Sequence, residues 1–135
     1  MIRRADLGDR AAIVAIDDHD RHTRLDVAID AGQCLIFDAG GIAGFVVTVP
    51  NGFFGRDFVE LLIVDRRRRR AGIGRALLQA AVHSASTSRV FTSTNRSNQP
   101  MLALLDHDGW SFSGELHGLD DGDPEFVYFI DRSGE

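Results

Sequence analysis

The stretch RRRRRAGIG, residues 66–74, carries five arginines directly into a glycine turn, and an apolar segment with helical periodicity follows it. The first turn of a helix exposes N–H groups and partial positive charge, so it normally favours an acidic residue or a bound anion. This one receives further positive charge from Arg75. Gly72 and Gly74 leave room for backbone N–H groups to approach an anion while arginine side chains bind it. The stretch therefore predicts a binding site for a phosphorylated small molecule.

A nucleic-acid or nuclear-localisation patch is the main alternative for a short arginine cluster. The chain has a formal net charge of -5, and its sequence has no second basic block with interleaved aromatic residues. The broad positive surface of a nucleic-acid binder is therefore missing. Two other phosphate motifs fit poorly, since the P-loop needs G-x-x-x-x-G-K-[ST] and the dinucleotide fingerprint needs a third glycine. These observations favour a small ligand.

The same stretch resembles the acyl-CoA pyrophosphate loop of the GCN5-related N-acetyltransferase (GNAT) family, whose pattern is [QR]-x-x-G-x-[GA]. Arg69, Gly72 and Gly74 occupy its three fixed positions. The order of elements agrees, because a β-rich apolar run, Phe58–Val64, precedes the turn and a helix follows it. One face of that helix is predicted to carry Ile73, Ala76, Leu77, Ala80 and Ser84.

A second match lies downstream, without insertion. The family's asparagine, small residue, tyrosine, glycine and aromatic positions fall on Asn98, Met101, Leu105, Gly109 and Trp110. The resemblance then extends over nearly the whole chain, from a first strand at residues 2–6 to a last one at residues 126–130. It implies an α+β fold of the GNAT type, with a mixed central sheet of about six or seven strands flanked by about four helices. We expect a single domain over residues 1–135.

The local sequence divides the chain into alternating elements. Turn chemistry at Asp38–Gly41 predicts a hairpin, and Pro50–Gly52 is expected to end its second strand. Asn98 is placed to cap a helix that stops at Gly109. The predicted strands are about 1–5, 34–37, 42–49, 58–64, 89–94, 112–116 and 126–130, the last two as a hairpin. The predicted helices are about 8–18, 22–31, 73–86 and 98–108, and the helical period of the first is approximated by Leu7, Ala11, Val14 and either Ala15 or Asp18.

Composition also bears on compartment and partners. A single cysteine, Cys34, excludes an internal disulfide framework and a multi-cysteine metal site. The sequence has neither a long apolar run nor the apolar core of a signal peptide, so we expect a cytoplasmic protein without membrane or metal. The resemblance implies acetyl-CoA as cosubstrate and an amine, small molecule or peptide, as acceptor; a homodimer stays open.

The chemistry implied by the resemblance is direct attack of an amine on an acyl thioester. The pyrophosphate would be anchored by the Arg69 side chain and by backbone groups of Arg70, Ala71, Gly72, Ile73, Gly74 and Arg75. Backbone groups of a splayed strand, at Leu62, Ile63 and Val64, would polarise the thioester carbonyl. Asn98 has two interpretations, a helix cap or a contact to the cofactor.

The attacking amine must lose a proton, which requires a base or a water chain leading to one. Glu60 is the first candidate, because period-two geometry places it on the strand face of Leu62 and Val64. An ordinary solvent-facing glutamate is the alternative. A rival set of titratable residues lies between the first two helices: Asp17, Asp18, His19, Asp20 and His22.

The leaving thiolate is where the sequence departs from the family. Leu105 occupies the position of the usual tyrosine acid, so Ser97, Tyr128 or a water would have to replace it. A thiol leaves without full protonation, so the absence of the tyrosine need not abolish catalysis.

The acidic segment Asp120–Glu125 could attract a cationic amine, although its residues suit a turn, the interpretation we prefer. Two other functions remain open: a non-catalytic acyl-CoA sensor, and an interaction domain whose arginines bind another anion.

Overall fold

The computed structural model describes residues 1–17, 19, 21–69 and 71–132. Seven strands form one sheet in the order β1-β2-β3-β4-β5-β7-β6. The strands are β1 Ile2–Arg4, β2 Cys34–Asp38, β3 Ile42–Phe53, β4 Arg56–Val64, β5 Arg89–Asn95, β6 Ser111–Leu116 and β7 Glu125–Asp131; the helices are α1 Arg10–Ile16, α2 His22–Asp30, α3 Ile73–Ser84 and α4 Gln99–His107, with short 3-10 turns at Leu7–Asp9 and Arg66–Arg68. The expected α+β architecture is confirmed.

The sheet is mixed because it contains one parallel pair. β1 with β2 and β2 with β3 are antiparallel, as are β5 with β7 and β7 with β6. β4 runs parallel to β5, and their register aligns Asp57–Val59 with Val90–Thr92. Five further residues of β4, Glu60–Val64, continue beyond that register.

The chain forms two compact units, and the first comprises Met1–Val49 with Glu60–Ser84. Its core lies between β2 and β3 and the helices α1 and α2, around Ile13, Leu25, Ile36 and Phe45. Gly44 has a packing role here: a Cβ at this position would lie 2.9 Å from the Ile63 carbonyl oxygen and within 3.2 Å of side chains on α3. The glycine therefore lets α3 lie close against the strands.

The second unit comprises Pro50–Val59 and the chain after Ala85. Rings of Phe53, Phe58, Phe91 and Phe129 form a continuous series of contacts, with centroids 5.0 to 5.6 Å apart. The carboxylate of buried Asp57 accepts hydrogen bonds from the backbone N–H of Asn51 at the end of β3, and from the backbone N–H and the hydroxyl of Ser86 in the loop after α3, which ties three segments of this unit together. Among the described residues, no helix has the length and apolar character needed to cross a bilayer.

The prediction that Pro50–Gly52 ends the third strand was wrong. β3 continues to Phe53, with Asn51 at a φ of 56°, and the hairpin turn is instead Phe54-Gly55, whose φ values are 51° and 79°. Two positive φ angles match a type I′ turn, the geometry that suits the twist of a two-residue hairpin. The ring contacts of Phe53 hold the extended strand end in place.

Two predicted helix faces were also wrong in part. Leu7 is 72% exposed because it lies in a 3-10 turn before α1, and the buried residue of α1 is Ile13. On α3 the buried residues are Ile73, Leu77, Leu78 and Ala81, whereas Ser84 is exposed. The hydrophobic periodicity predicted both helices, but the residues that are buried differ by about one position from several of those predicted.

Candidate functional site

Strand β4 leads into the arginine loop. Leu62, Ile63 and Val64 are half-buried at its carboxyl end, and the backbone N–H of Asp65 donates to the Ala43 carbonyl at 2.8 Å. This bond fixes where the loop leaves the sheet. The three predicted carbonyl-polarising residues therefore lie directly before the loop and in the same unit as it.

Asp65 organises the first half of the loop, a role that the sequence reasoning missed. Its carboxylate accepts from the backbone N–H of Arg67 at 3.0 Å and from the Arg67 guanidinium at 3.2 Å. These interactions, first of all the guanidinium hydrogen bond, hold the pKa of the buried Asp65 carboxyl below its usual value. An aspartate before a run of cations is a helix-cap signal that could have identified it.

The glycine turn forms the second half. Gly72 has a φ of 77°, and a Cβ built on it would meet nothing within 4 Å, so the requirement is conformational and the space beside it is open. The first hydrogen bond of α3 joins Ala76 N–H to the Gly72 carbonyl at 3.0 Å. The amides of Ile73 and Gly74 precede that bond, so they have no acceptor within the helix.

The cationic side chains of the loop have their own contacts. Arg69 Nε donates to the Val64 carbonyl at 3.4 Å, which brings two predicted site residues together. Arg68 reaches the Ala39 carbonyl at 3.5 Å. Arg75 lies in the first turn of α3, and Arg70 lies outside the described residues. Residues 65–75 contain six arginines and one acid, so the loop carries a large excess of positive charge.

This arrangement fits a pyrophosphate-bearing ligand. Open space borders a glycine in the left-handed conformation, the first amides of a helix follow it, and the loop that leads into this turn is rich in arginine. Backbone N–H groups and guanidinium forks are the donors that phosphate oxygens require. The described residues contain no cluster of three or more His, Cys, Asp or Glu that would hold a metal ion.

Glu60, the candidate base, lies on β4 and is paired with Arg24 of α2. Arg24 Nε donates to Glu60 Oε1 at 2.8 Å, and the second guanidinium nitrogen contacts Oε2. The Glu60 side chain is 22% exposed. The sequence reasoning did not foresee this ion pair, because 36 residues separate its partners.

The rival set surrounds the start of α2. The fully buried Asp17 carboxylate pairs with Arg21, and a ring nitrogen of His19 lies 3.1 Å from the same guanidinium. Asp18 and Asp20 lie outside the described residues. A cavity of about 410 Å³ in the first unit is lined by Arg21, His22, Thr23 and Arg24. Asp17 is therefore ion-paired with an arginine, as Glu60 is.

The remaining predicted residues belong to the second unit. Asn98 caps α4 as expected, because its side chain accepts from Met101 N–H at 3.3 Å and donates to Thr94 Oγ1 at 3.0 Å. Leu105 is fully buried in the core of that unit. Tyr128 is buried as well, and desolvation together with nearby Asp106 raises the pKa of its phenol.

The acidic segment 120–125 is bound to its own unit. Asp123 accepts from Ser97 N–H at 3.0 Å and from Ser97 Oγ at 2.6 Å. Asp120 accepts from the Asn95 amide at 2.9 Å, and Glu125 from Ser93 Oγ at 2.7 Å. These bonds support the turn interpretation, and they engage the Ser97 hydroxyl that was one candidate acid.

Cys34 is not a candidate nucleophile. It is fully buried in β2, and burial raises the pKa of its thiol to about 12. A thiol of that pKa stays protonated near neutrality, so it is a poor nucleophile.

The comparisons with known proteins agree with the fold. The model of the Acetyltransferase (GNAT) family matches residues 7–110. A GNAT-family acetyltransferase from Bacillus cereus ATCC 10987 is 31% identical, with 98% of this chain and 96% of that chain covered and a TM-score of 0.92. The comparison with curated protein sequences gave no match.

Two more distant structures share the fold alone. The Salmonella typhimurium protein yncA, solved with its cofactor acetyl-CoA, is 21% identical over 98% of this chain and 93% of that chain, with a TM-score of 0.80. A ribosomal-protein-alanine N-acetyltransferase from Brucella melitensis is 22% identical over 97% and 99%, with a TM-score of 0.78. Given the family model and the Bacillus cereus relative, which both cover most of the chain, the protein belongs to the GNAT acetyltransferase family.

Proposed function

We propose that this chain is an N-acetyltransferase that moves an acetyl group from acetyl-CoA to a primary amine by direct attack. The observation that carries the proposal is the loop between β4 and α3, where Gly72, the first amides of α3 and an excess of arginines meet. Family membership and the acetyl-CoA present in yncA support the choice of ligand. We further propose that residues 1–135 act as one domain in the cytoplasm.

Most of the residues that would hold acetyl-CoA lie in the arginine loop. Arg69, Arg70 and Arg75 would neutralise the pyrophosphate, and the amides of Ala71 to Gly74 would donate to its oxygens. Asn98 stays a second proposed contact besides its capping role. Acetyl-CoA supplies the activated acyl group, and the backbone of Leu62, Ile63 and Val64 would orient its carbonyl.

Glu60 is the proposed base. It lies on the strand face of Leu62 and Val64, about 7 and 13 Å from them along the strand at roughly 3.3 Å per residue. From this position Glu60 would take the proton of the amine directly, where the amine reaches it, or through a chain of water molecules. Leaving-group protonation has no assigned residue, since Leu105 is buried and the Ser97 hydroxyl bonds to Asp123. Water is the proposed donor.

A non-catalytic acyl-CoA sensor is the second candidate. Two observations favour it: the family's tyrosine position is occupied by a buried leucine, and Glu60 is engaged by Arg24. A sensor would bind acetyl-CoA through the same loop and release no thiol. An assay of thiol release across a broad panel of amines, run beside calorimetry with acetyl-CoA, separates the two functions.

Replacing Glu60 with glutamine tests the base. We expect unchanged acetyl-CoA affinity and a turnover reduced at least about 100-fold, because the amine then depends on bulk solvent for deprotonation. The loss should shrink at high pH, where free amine accumulates. Asp131→Asn is the matched control, because Asp131 is also a strand carboxylate paired with an arginine, Arg89. Undiminished turnover of Glu60→Gln would reject this base and direct attention to His19 and His22.

A further inference from the structure

The cavity at the start of α2 has a cationic wall. Among the described residues that line it, Arg21 and Arg24 carry guanidinium groups, and His22 and Thr23 lie between them in the sequence. Each guanidinium already faces one carboxylate, so a ligand must either share an arginine or displace its partner. The two ion pairs therefore determine what the cavity accepts.

The two pairs differ in burial. The side chain of Asp17, the partner of Arg21, is completely buried. Its Oδ1 bonds Arg21 and its Oδ2 has no hydrogen-bond partner among the described residues, so separating this pair would leave an uncompensated charge inside the protein. Arg24 is 49% exposed and its partner Glu60 is 22% exposed. Solvent-exposed ion pairs contribute little free energy and exchange partners easily. Arg21 is therefore fixed, whereas Arg24 can be shared with a ligand.

We propose that the acceptor is an α-amino acid, and that its carboxylate displaces Glu60 from Arg24. The inference rests on the proposed function and names its substrate class. A zwitterionic ligand suits the site. Its carboxylate takes the place of the Glu60 carboxylate on Arg24, and its ammonium group then pairs with the Glu60 carboxylate that has been released. The charge of the site is preserved. Since Arg24 Nε and Glu60 Oε1 are 2.8 Å apart, the two charged groups of the ligand must be close together, as they are in an α-amino acid.

The exchange would couple recognition to chemistry. Once released, Glu60 takes one proton from the ammonium group, and the neutral nitrogen forms a bond to the acyl carbon. The carbon–sulfur bond breaks with its electron pair on sulfur, and a second proton from nitrogen reaches the thiolate through water. The products are the N-acetyl amino acid and the CoA thiol, and Glu60 returns its proton to solvent. Arg24 acts as a positioning residue for Glu60 and as a binding residue for the carboxylate.

The test compares the twenty common L-amino acids with their amides, which keep the amine and lack the carboxylate. We expect wild-type kcat/KM to favour the acids by roughly 10- to 100-fold, the range for a hydrogen bond to a charged group. Arg24→Gln should remove this preference mainly through KM, while the amides react at least as well as before. Arg24→Lys, which keeps the charge without the fork, should recover part of the preference.

Arg10→Gln is the matched control. Arg10 of α1 is 43% exposed, similar to Arg24, and forms an ion pair with Asp26 of α2 away from the residues that line the cavity. This variant should keep the wild-type preference for acids. Equal rates with acids and amides in the wild type, or a preference that survives in Arg24→Gln, would overturn the amino-acid assignment and leave the acetyltransferase proposal standing. Absence of thiol release with every amine would overturn both.

Discussion

The arginine loop, residues 65–75, and the acidic segment 120–125 are both highly charged turns with a glycine at positive φ, yet they use their charge differently. In the acidic segment, Asp120, Asp123 and Glu125 accept hydrogen bonds from residues 93–97 of their own unit. In the arginine loop, six arginines accompany one acid, Asp65. The carboxylates of the acidic segment are thus used to hold a turn together, whereas the arginine loop carries more positive charge than its own acid can balance, which suits it to an anionic ligand.

The largest expected effect comes from a matched pair of glycine substitutions. Gly72 and Gly122 have φ values of 77° and 74°, and both have open space where a Cβ would lie. Valine at either site should cost about 1–2 kcal/mol of folding free energy, because an L-residue is strained there. We expect Gly72→Val to abolish acetyl-CoA binding in calorimetry and Gly122→Val to leave it unchanged. Equal affinities of the two folded variants would remove the pyrophosphate assignment.

A smaller effect should distinguish the arginines within the loop. Arg69→Gln should weaken acetyl-CoA several-fold more than Arg66→Gln, since only the motif position directs its side chain at phosphate while outer charges are screened by solvent and salt. The contact of Arg69 with the Val64 carbonyl places its guanidinium beside the strand end. Titrations at two salt concentrations would measure the difference. Similar losses at both positions would indicate a diffuse anion-binding patch.

The smallest effect concerns Asp65 and depends on pH. The pKa of this carboxyl is lowered in the folded protein, chiefly by Arg67, so its stabilisation is present above the unfolded value of about 3.9 and is lost as pH falls through the folded value. Asp65→Asn should therefore lower Tm at pH 7, and its difference from the wild type should shrink as pH falls below the unfolded value. A Tm difference that stays constant from pH 7 to pH 3 would contradict the role of the charged pair.

Local chemistry explains what the sequence predicted well. The cap at Asn98 and the hairpin turn at Asp38–Gly41 each depend on residues a few positions apart. The longer course of β3 depends on aromatic contacts of Phe53 with distant strands, and local turn signals at Pro50 could not reveal them. The apolar faces of α1 and α3 were likewise set by tertiary packing.

For the candidate site too, the sequence predicted local features and missed contacts between distant residues. Its loop was identified from a short motif, whereas the pairing of Glu60 with Arg24 joins residues 36 positions apart and has no sequence signature. The cap by Asp65 had a signature that the arginine run concealed. Charge pairs that connect separate elements are therefore the part of a site that a single sequence defines least.

Hydrogen exchange with and without acetyl-CoA tests the central claim, that the arginine loop is the ligand site, most directly. We expect acetyl-CoA to slow exchange at the amides of residues 71–75, because phosphate oxygens would accept from them, and to leave residues 118–123 unaffected. Unchanged exchange at residues 71–75 under saturating acetyl-CoA, or protection confined to the acidic segment, would contradict the assignment.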